Sequence, residues 1–195
     1  YALNTDGLDP RGQDILIERL NITNYDDAVA IKPLIGKNDY NCSENIVVRD
    51  CNIWFGVGMS VGSVYPSDSY ECVRNVTFSN MTFYHPFKAI YVKSNPGTTK
   101  SMLPGSGGEA TGIHYEDFEI HHPTWWAIYI GPQQQKQPHE GGPGCMLYPL
   151  LPCDSNPLIT FRDITLRNIQ VHGSYLPPGI IKCDKTNPCY DLVFD

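Results

Sequence analysis

The sequence contains no apolar run approaching the ~18 residues of a membrane-spanning helix, and no amphipathic helical period lasts for ~12 residues or more. Charge is scarce, with 18% Asp, Glu, Lys and Arg against about 25% in an average globular domain. Basic residues are the scarcer kind, 14 against 21 acidic, so the net charge is −7. A nucleic acid or an anionic membrane would meet a repulsive overall field, and neither is expected as a partner. The 7 cysteines include no C-x-x-C pair. With 41% apolar residues, 17 glycines and 16 prolines, a coiled coil, a collagen and a disordered acidic chain are all excluded, while a real core remains possible.

What is present is a repeat. A nine-residue pattern (small or polar, apolar, any, apolar, any, any, apolar, any, apolar) occurs at 14–22, 45–53, 75–83, 112–120 and 163–171. A second short apolar strand follows each copy, at 28–31, 59–62, 89–92, 127–130 and 179–182. Alternation of period two, rich in Ile, Val, Phe and Tyr and punctuated by Gly, Pro, Asn and Asp, reads as strand. Units of about 30 residues with two strands and no helix stack as coils of a parallel β-helix, which buries one continuous core. The fold expected is all-β, a solenoid of five to six coils over residues 1–195. A Greek-key sandwich is the competing architecture, disfavoured because both strands recur in the same order. Residues 105–111 and 131–157 are expected to be loops inserted between coils. Core positions are expected at Ile15, Ile17, Ile22, Val29, Ile31, Ile46, Val48, Ile53, Val76, Phe78, Ile90, Val92, Ile128, Ile130, Ile164 and Leu166.

Four glycosylation sequons start at Asn21, Asn41, Asn75 and Asn80, and Asn21 alternates with core positions, so it should face out. Cys183 and Cys189 closely bracket a Pro-bearing segment, as do Cys145 and Cys153. Together these features read as a secreted, extracellular, disulfide-bonded glycoprotein. Cys42, Cys51 and Cys72 leave one thiol over, whose partner could lie outside this chain. The chain opens on Tyr1, and 191–195 look like a sixth nine-residue unit cut in half. The expectation is a segment of a longer protein, free to associate with a missing amino-terminal part or with other chains.

Stacked coils place equivalent residues one strand spacing apart, ~4.8 Å. Alignment of the second strands sets Asp26 level with Val57, Phe87 and Trp125, and Asp27 level with Gly58, Lys88 and Trp126. Asp6 falls one coil before Asp26. Three carboxylates should therefore converge, and like charges at that range raise at least one pKa. One acid can then protonate a leaving group while its neighbours activate water. Other constellations read as structural: Ser60, in Gly58-Met-Ser60-Val-Gly62, as a tight-turn residue with no helix to follow, and His121-His122 as diverging strand residues with no third ligand spaced for zinc. No metal and no cofactor is expected.

Asn4-Thr5-Asp6-Gly7, Asp26-Asp27-Ala-Val-Ala-Ile-Lys32, Gly56-Val-Gly-Met-Ser-Val-Gly-Ser63 and Ala89-Ile-Tyr-Val-Lys93 resemble the four ordered motifs of the polygalacturonases, glycoside hydrolase family 28. The resemblance runs through the chain to the closing Cys-x5-Cys. It implies a right-handed parallel β-helix whose amino-terminal coils are missing. It also implies a polysaccharide substrate, an α-1,4-linked galacturonan or a related cell-wall polymer, cleaved with inversion. Carried over, Asp26 is the general acid, Asp6 and Asp27 hold the attacking water, and Lys93, with Lys32, contacts the sugar acid. Trp126 stands where the family often stacks an aromatic on the sugar, and Tyr91 lines the same strand. Two positions depart from the pattern: Val57 replaces the motif histidine and cannot titrate, and Tyr91 replaces an arginine whose bidentate grip a phenol does not reproduce. The alternative function is a β-helix that has kept its groove but lost its rate, serving as a carbohydrate-binding or structural part of an extracellular assembly.

Overall fold

The computed structural model describes residues 4–34, 42–66, 70–95, 107–135 and 144–195. Its strands stack into a parallel β-helix. A first sheet contains β1 (Gln13–Glu18), β2 (Asn21–Thr23), β4 (Cys42–Phe55), β6 (Tyr70–Phe83), β8 (Gly107–His121), β10 (Ile159–His172) and β12 (Tyr190–Phe194). Its order is β1-β4-β6-β8-β10-β12, with β2 also paired to β4. The second sheet, in the order β11-β9-β7-β5-β3, contains β3 (Asp27–Ile31), β5 (Gly58–Val64), β7 (Ile90–Ser94), β9 (Ile128–Pro132) and β11 (Gly179–Ile181). Every ladder is parallel. Among the described residues there is no helix, and so none long and apolar enough to cross a membrane.

The double break in the nine-residue pattern has a conformational cause. Its first residues, Asp14, Asn45, Asn75 and Asp163, have φ of 48–56°. So do its sixth residues, Arg19, Asp50, Asn80, Asp117 and Asn168, at 51–57°. Asn and Asp tolerate this left-handed region better than other side chains. Each such residue bends the long strand, and the alternation slips by one at the bend so that the apolar side chains continue to point inward. The bends also stack: Asn75 Nδ2 donates to Asn45 Oδ1 at 2.8 Å, and Asn45 Nδ2 to Asp14 Oδ1 at 3.1 Å. At the second corner Asn80 Nδ2 donates to Asp50 Oδ1 at 2.6 Å, and Asn168 Nδ2 to Asp117 Oδ1 at 2.7 Å.

Twelve of the expected core residues are buried, from Val29 to Leu166, while Ile15, Ile17, Ile22 and Ile128 are partly buried against the same cluster. Among the described residues β1 and β2 form the end of their sheet, which accounts for the partial exposure of Ile15, Ile17 and Ile22. Aromatic stacks run up the core, Phe78 on Tyr115 at 4.8 Å and Phe83 against Phe118 at 5.5 Å. One loop expectation is corrected: 107–111 begin β8, because Tyr70 to Arg74 offer them a ladder partner in register, and 131–132 finish β9. The bridges Cys145–Cys153 and Cys183–Cys189 form. Cys42 pairs with Cys72 across two in-register coils, leaving Cys51 buried and free.

Gly58 opens β5 with φ +94°, and a Cβ there would lie 2.5 Å from the Ala89 carbonyl oxygen and 2.6 Å from that of Lys88. Backbone cannot yield as a side-chain tip can. Gly58→Ala is therefore expected to cost at least the ~1–3 kcal/mol of a strained backbone position, read as a lower melting temperature in calorimetry. An unchanged melting temperature would contradict that close approach.

Candidate active site

The second sheet presents the acids. Asn24 holds the chain just before β3, with its Nδ2 donating to the Thr5 carbonyl at 3.0 Å and to that of Asp27 at 2.7 Å. The Gly7 amide donates to the Asp27 carbonyl at 2.9 Å. These bonds bring the turn carrying Asp6 onto the doublet. Asp6, Asp26 and Asp27 converge, each offering a carboxylate oxygen within 4.8 Å of the others.

Their environments differ. Asp27 is 1% exposed; its Oδ1 accepts from Ser60 Oγ at 2.5 Å and its Oδ2 pairs with Lys93 Nζ at 2.5 Å. Burial alone would raise its pKa, but the charges of Lys93 and Lys32 and the bonds from Lys93 and Ser60 outweigh it and hold the carboxyl below its ordinary value. Asp26, also buried, is pushed up by desolvation and then by Asp27, with Lys93 and the Asp27 amide opposing. Asp6 is half-buried and is raised to about 6, by burial first and then by Asp26 and Asp27. Lys32 Nζ lies 3.8 Å from Asp6, 3.6 Å from Asp9 and 4.0 Å from Asp27. One acid of the three is thus kept ionised while two retain protons to higher pH, the division of labour that acid and base roles require.

Because Asp6 binds its proton more tightly folded than at its ordinary 3.8, the stability it contributes is full below that value and is lost as pH rises through about 6. Asp6→Asn is expected to flatten the decline in melting temperature between pH 4 and pH 7 (about the span of that titration), measured by calorimetry in a buffer series. An identical slope in the variant would show that Asp6 is not the group responsible.

Lys93 and Lys32 line the same cavity as the three acids. Tyr91 does not: it is fully buried, with its hydroxyl oxygen accepting from the Gln134 amide at 2.6 Å. Trp126 is only 7% exposed, so it offers no face to a sugar. The aromatic lining of the cleft comes from Tyr25, Phe55 and Phe87, the last stacked on Trp125 at 5.7 Å with 6° between ring planes. Ser60 is a buried residue in the middle of β5, not a turn residue. It lies two residues beyond Gly58, which pairs with Asp27, and that spacing was the available signal. Lys88 is fully buried, its ammonium 4.6 Å and 4.7 Å from the Phe87 and Tyr91 ring centres and without a hydrogen-bond acceptor. Burial pushes it down to about 7. The expectation that no third ligand accompanies His121 is also corrected. Glu119, two residues before it, and His172, its register partner on β10, bring ligand atoms within 4.8 Å of one another.

Asn21, Asn75 and Asn80 are exposed, as glycan attachment requires; Asn41 lies outside the described residues.

Three acids with opposed pKa shifts thus lie together on the flank of a parallel β-helix. The chain matches the model of glycosyl hydrolases family 28 over residues 2–195 and belongs to that family. It is similar to an exopolygalacturonase of Cochliobolus carbonum, 29% identical over 98% of this chain and 41% of the relative. It also resembles an Aspergillus flavus protein with the provisional name galacturan 1,4-alpha-galacturonidase A, 28% identical over 100% of this chain and 46% of that one. Rhamnogalacturonase A of Aspergillus aculeatus is 24% identical over 97% of this chain and 36% of its own length. The chain thus spans less than half the length of these relatives.

Proposed function

We propose that the protein is a secreted hydrolase of pectic polysaccharide that cleaves galacturonan-type bonds without a cofactor. The observation that carries this reading is the convergence of Asp6, Asp26 and Asp27 with opposed pKa directions. Asp26 is the group best suited to donate a proton: it is buried, its pKa is raised, and it sits on the boundary between two cavities. Asp27 is held in place by Ser60 on Oδ1 and Lys93 on Oδ2, and each oxygen keeps a lone pair that can accept from water. It orients water together with Asp6, which becomes a base as it loses its proton. Direct attack by that water gives inversion at the anomeric carbon. Lys93, Lys32 and Arg11 surround the same space and suit a uronate carboxylate. Membership in the family and the names of the relatives support a substrate in the pectin class; three disulfides support an oxidising, extracellular location.

The competing role as a binding or structural module draws on Val57 and Tyr91, neither of which supplies the hydrogen bonds of the histidine and arginine they replace. Reducing-end release from pectate, methylated pectin and rhamnogalacturonan separates the two. Release from at least one polymer supports the hydrolase, and binding without release supports the module. Deglycosylation of the secreted protein should lower its intact mass.

A further inference from the structure

Two cavities meet at Asp26. The first, of about 490 Å³, holds Asp6, Asp27, Arg11, Lys32 and Lys93. The second, of about 410 Å³, is walled mainly by Tyr25, Phe55, Val57, Phe87 and Met146, with the amides of Asn4 and Gln135, and Asp26 at the partition is the one carboxylate among its described lining residues. Among the described residues, no lysine or arginine lines it. Lys88, next to Phe87 in the chain, is fully buried against the Phe87 and Tyr91 rings and does not reach it.

On the mechanism above, the attacking water belongs with Asp6 and Asp27, so the sugar whose anomeric carbon is attacked occupies the first cavity. Asp26 protonates the departing oxygen, and the sugar bearing that oxygen occupies the second. A carboxylate on that sugar would lose its hydration against mainly apolar walls, with the neutral amides of Asn4 and Gln135 but no cation among the described lining residues in return. A methyl group there would instead be removed from water, a favourable transfer. Phe87 backed by Trp125, and Tyr25 set edge-on to Phe55 at 5.6 Å, add aromatic surface for the sugar's C–H groups.

We propose that the cavity of Tyr25, Phe55, Val57, Phe87 and Met146 is the leaving-group subsite, and that it selects a pyranose whose C5 substituent is uncharged and ends in a methyl group, either the C6 methyl of a 6-deoxyhexose or the ester methyl of a methyl-esterified uronate. This assignment rests on the hydrolase reading given above. It makes Val57, where the family pattern has histidine, a specificity-determining residue.

The test uses the full-length protein and three polymers: de-esterified homogalacturonan, methyl-esterified homogalacturonan, and a rhamnogalacturonan backbone in which uronate alternates with 6-deoxyhexose. The expected result is a kcat/KM at least about ten-fold higher on one of the last two, a factor in the range that pocket contacts discriminate. Which of the two is preferred identifies the source of the methyl group. Val57→Arg, or Phe87→Arg if the first fails to fold, should shift that ratio toward de-esterified homogalacturonan by a similar factor. A rate on de-esterified homogalacturonan equal to or above both others overturns the subsite and leaves the hydrolase reading intact. Cleavage of none of the three overturns the hydrolase reading. The leaving-group role then falls with it, and the cavity's preference for an uncharged sugar is decided by calorimetric binding of trigalacturonate and its methyl ester: tighter binding of the ester supports that preference, and equal or weaker binding overturns it.

Discussion

Asp26→Asn should lower kcat on unactivated polymer by roughly 10²–10⁴-fold, the usual contribution of a positioned general acid, while KM stays within a few-fold. Asn is close to isosteric, and the Asp26 oxygen that accepts from the Asp27 amide at 2.8 Å has a counterpart in the amide oxygen, so the turn should persist. What is lost is the proton. Its delivery depends on burial and on the neighbouring Asp27 charge, which together keep the Asp26 carboxyl protonated to higher pH than usual. A variant that folds, binds and does not turn over would separate this role from a structural one. A rate within a few-fold of the parent would show that another group supplies the proton.

Lys93→Met should be the most destabilising change in the site. Lys93 is 5% exposed, pairs with Asp27 at 2.5 Å, and lies 4.5 Å above the Tyr91 ring centre. Its removal leaves Asp27 almost fully buried with Lys32 at 4.0 Å as its nearest remaining cation. Breaking a buried pair in this way typically costs about 3–5 kcal/mol. The Asp27 pKa should then rise, because the desolvation that Lys93 outweighs would act against weaker opposition, and ionised Asp27 would survive only toward higher pH. Denaturant unfolding measures the loss. Lys93→Met combined with Asp27→Asn should be more stable than Lys93→Met alone, since no buried charge then lacks a partner. If the double variant were the less stable of the two, Asp27 would not be the group that Lys93 neutralises.

Much of this was legible in the amino-acid order because a solenoid translates sequence spacing into space. Units starting at 14, 45, 75, 112 and 163 became coils in parallel register, and that register brought Asp6 onto Asp26 and Asp27. The bends were present as the paired unconstrained positions of each repeat, although their meaning, left-handed Asn and Asp at 48–57°, depends on backbone geometry. Side-chain direction was less accessible. Trp125 and Trp126 precede β9 instead of lying within it, so strict alternation did not apply, and the Trp expected at the sugar lies inside. Tyr91 points away from the core that Ile90 and Val92 enter, and it is buried because Val57, Tyr129 and the segment bearing Gln134 cover it. Ser60 looked like a turn residue for want of a partner, and that partner is 33 positions away in the chain. The proximity of Glu119, His121 and His172 depends on a 51-residue coil spacing that no local motif encodes.

The central claim, that Asp26 delivers the proton, is tested most directly by leaving-group dependence. Wild type and Asp26→Asn should be compared on a pectic oligosaccharide and on an aryl glycoside of the same sugar whose phenol departs without protonation. The account predicts that the variant loses roughly 10²-fold or more on the oligosaccharide and recovers most of that loss on the aryl glycoside. An equal loss on both substrates would contradict it.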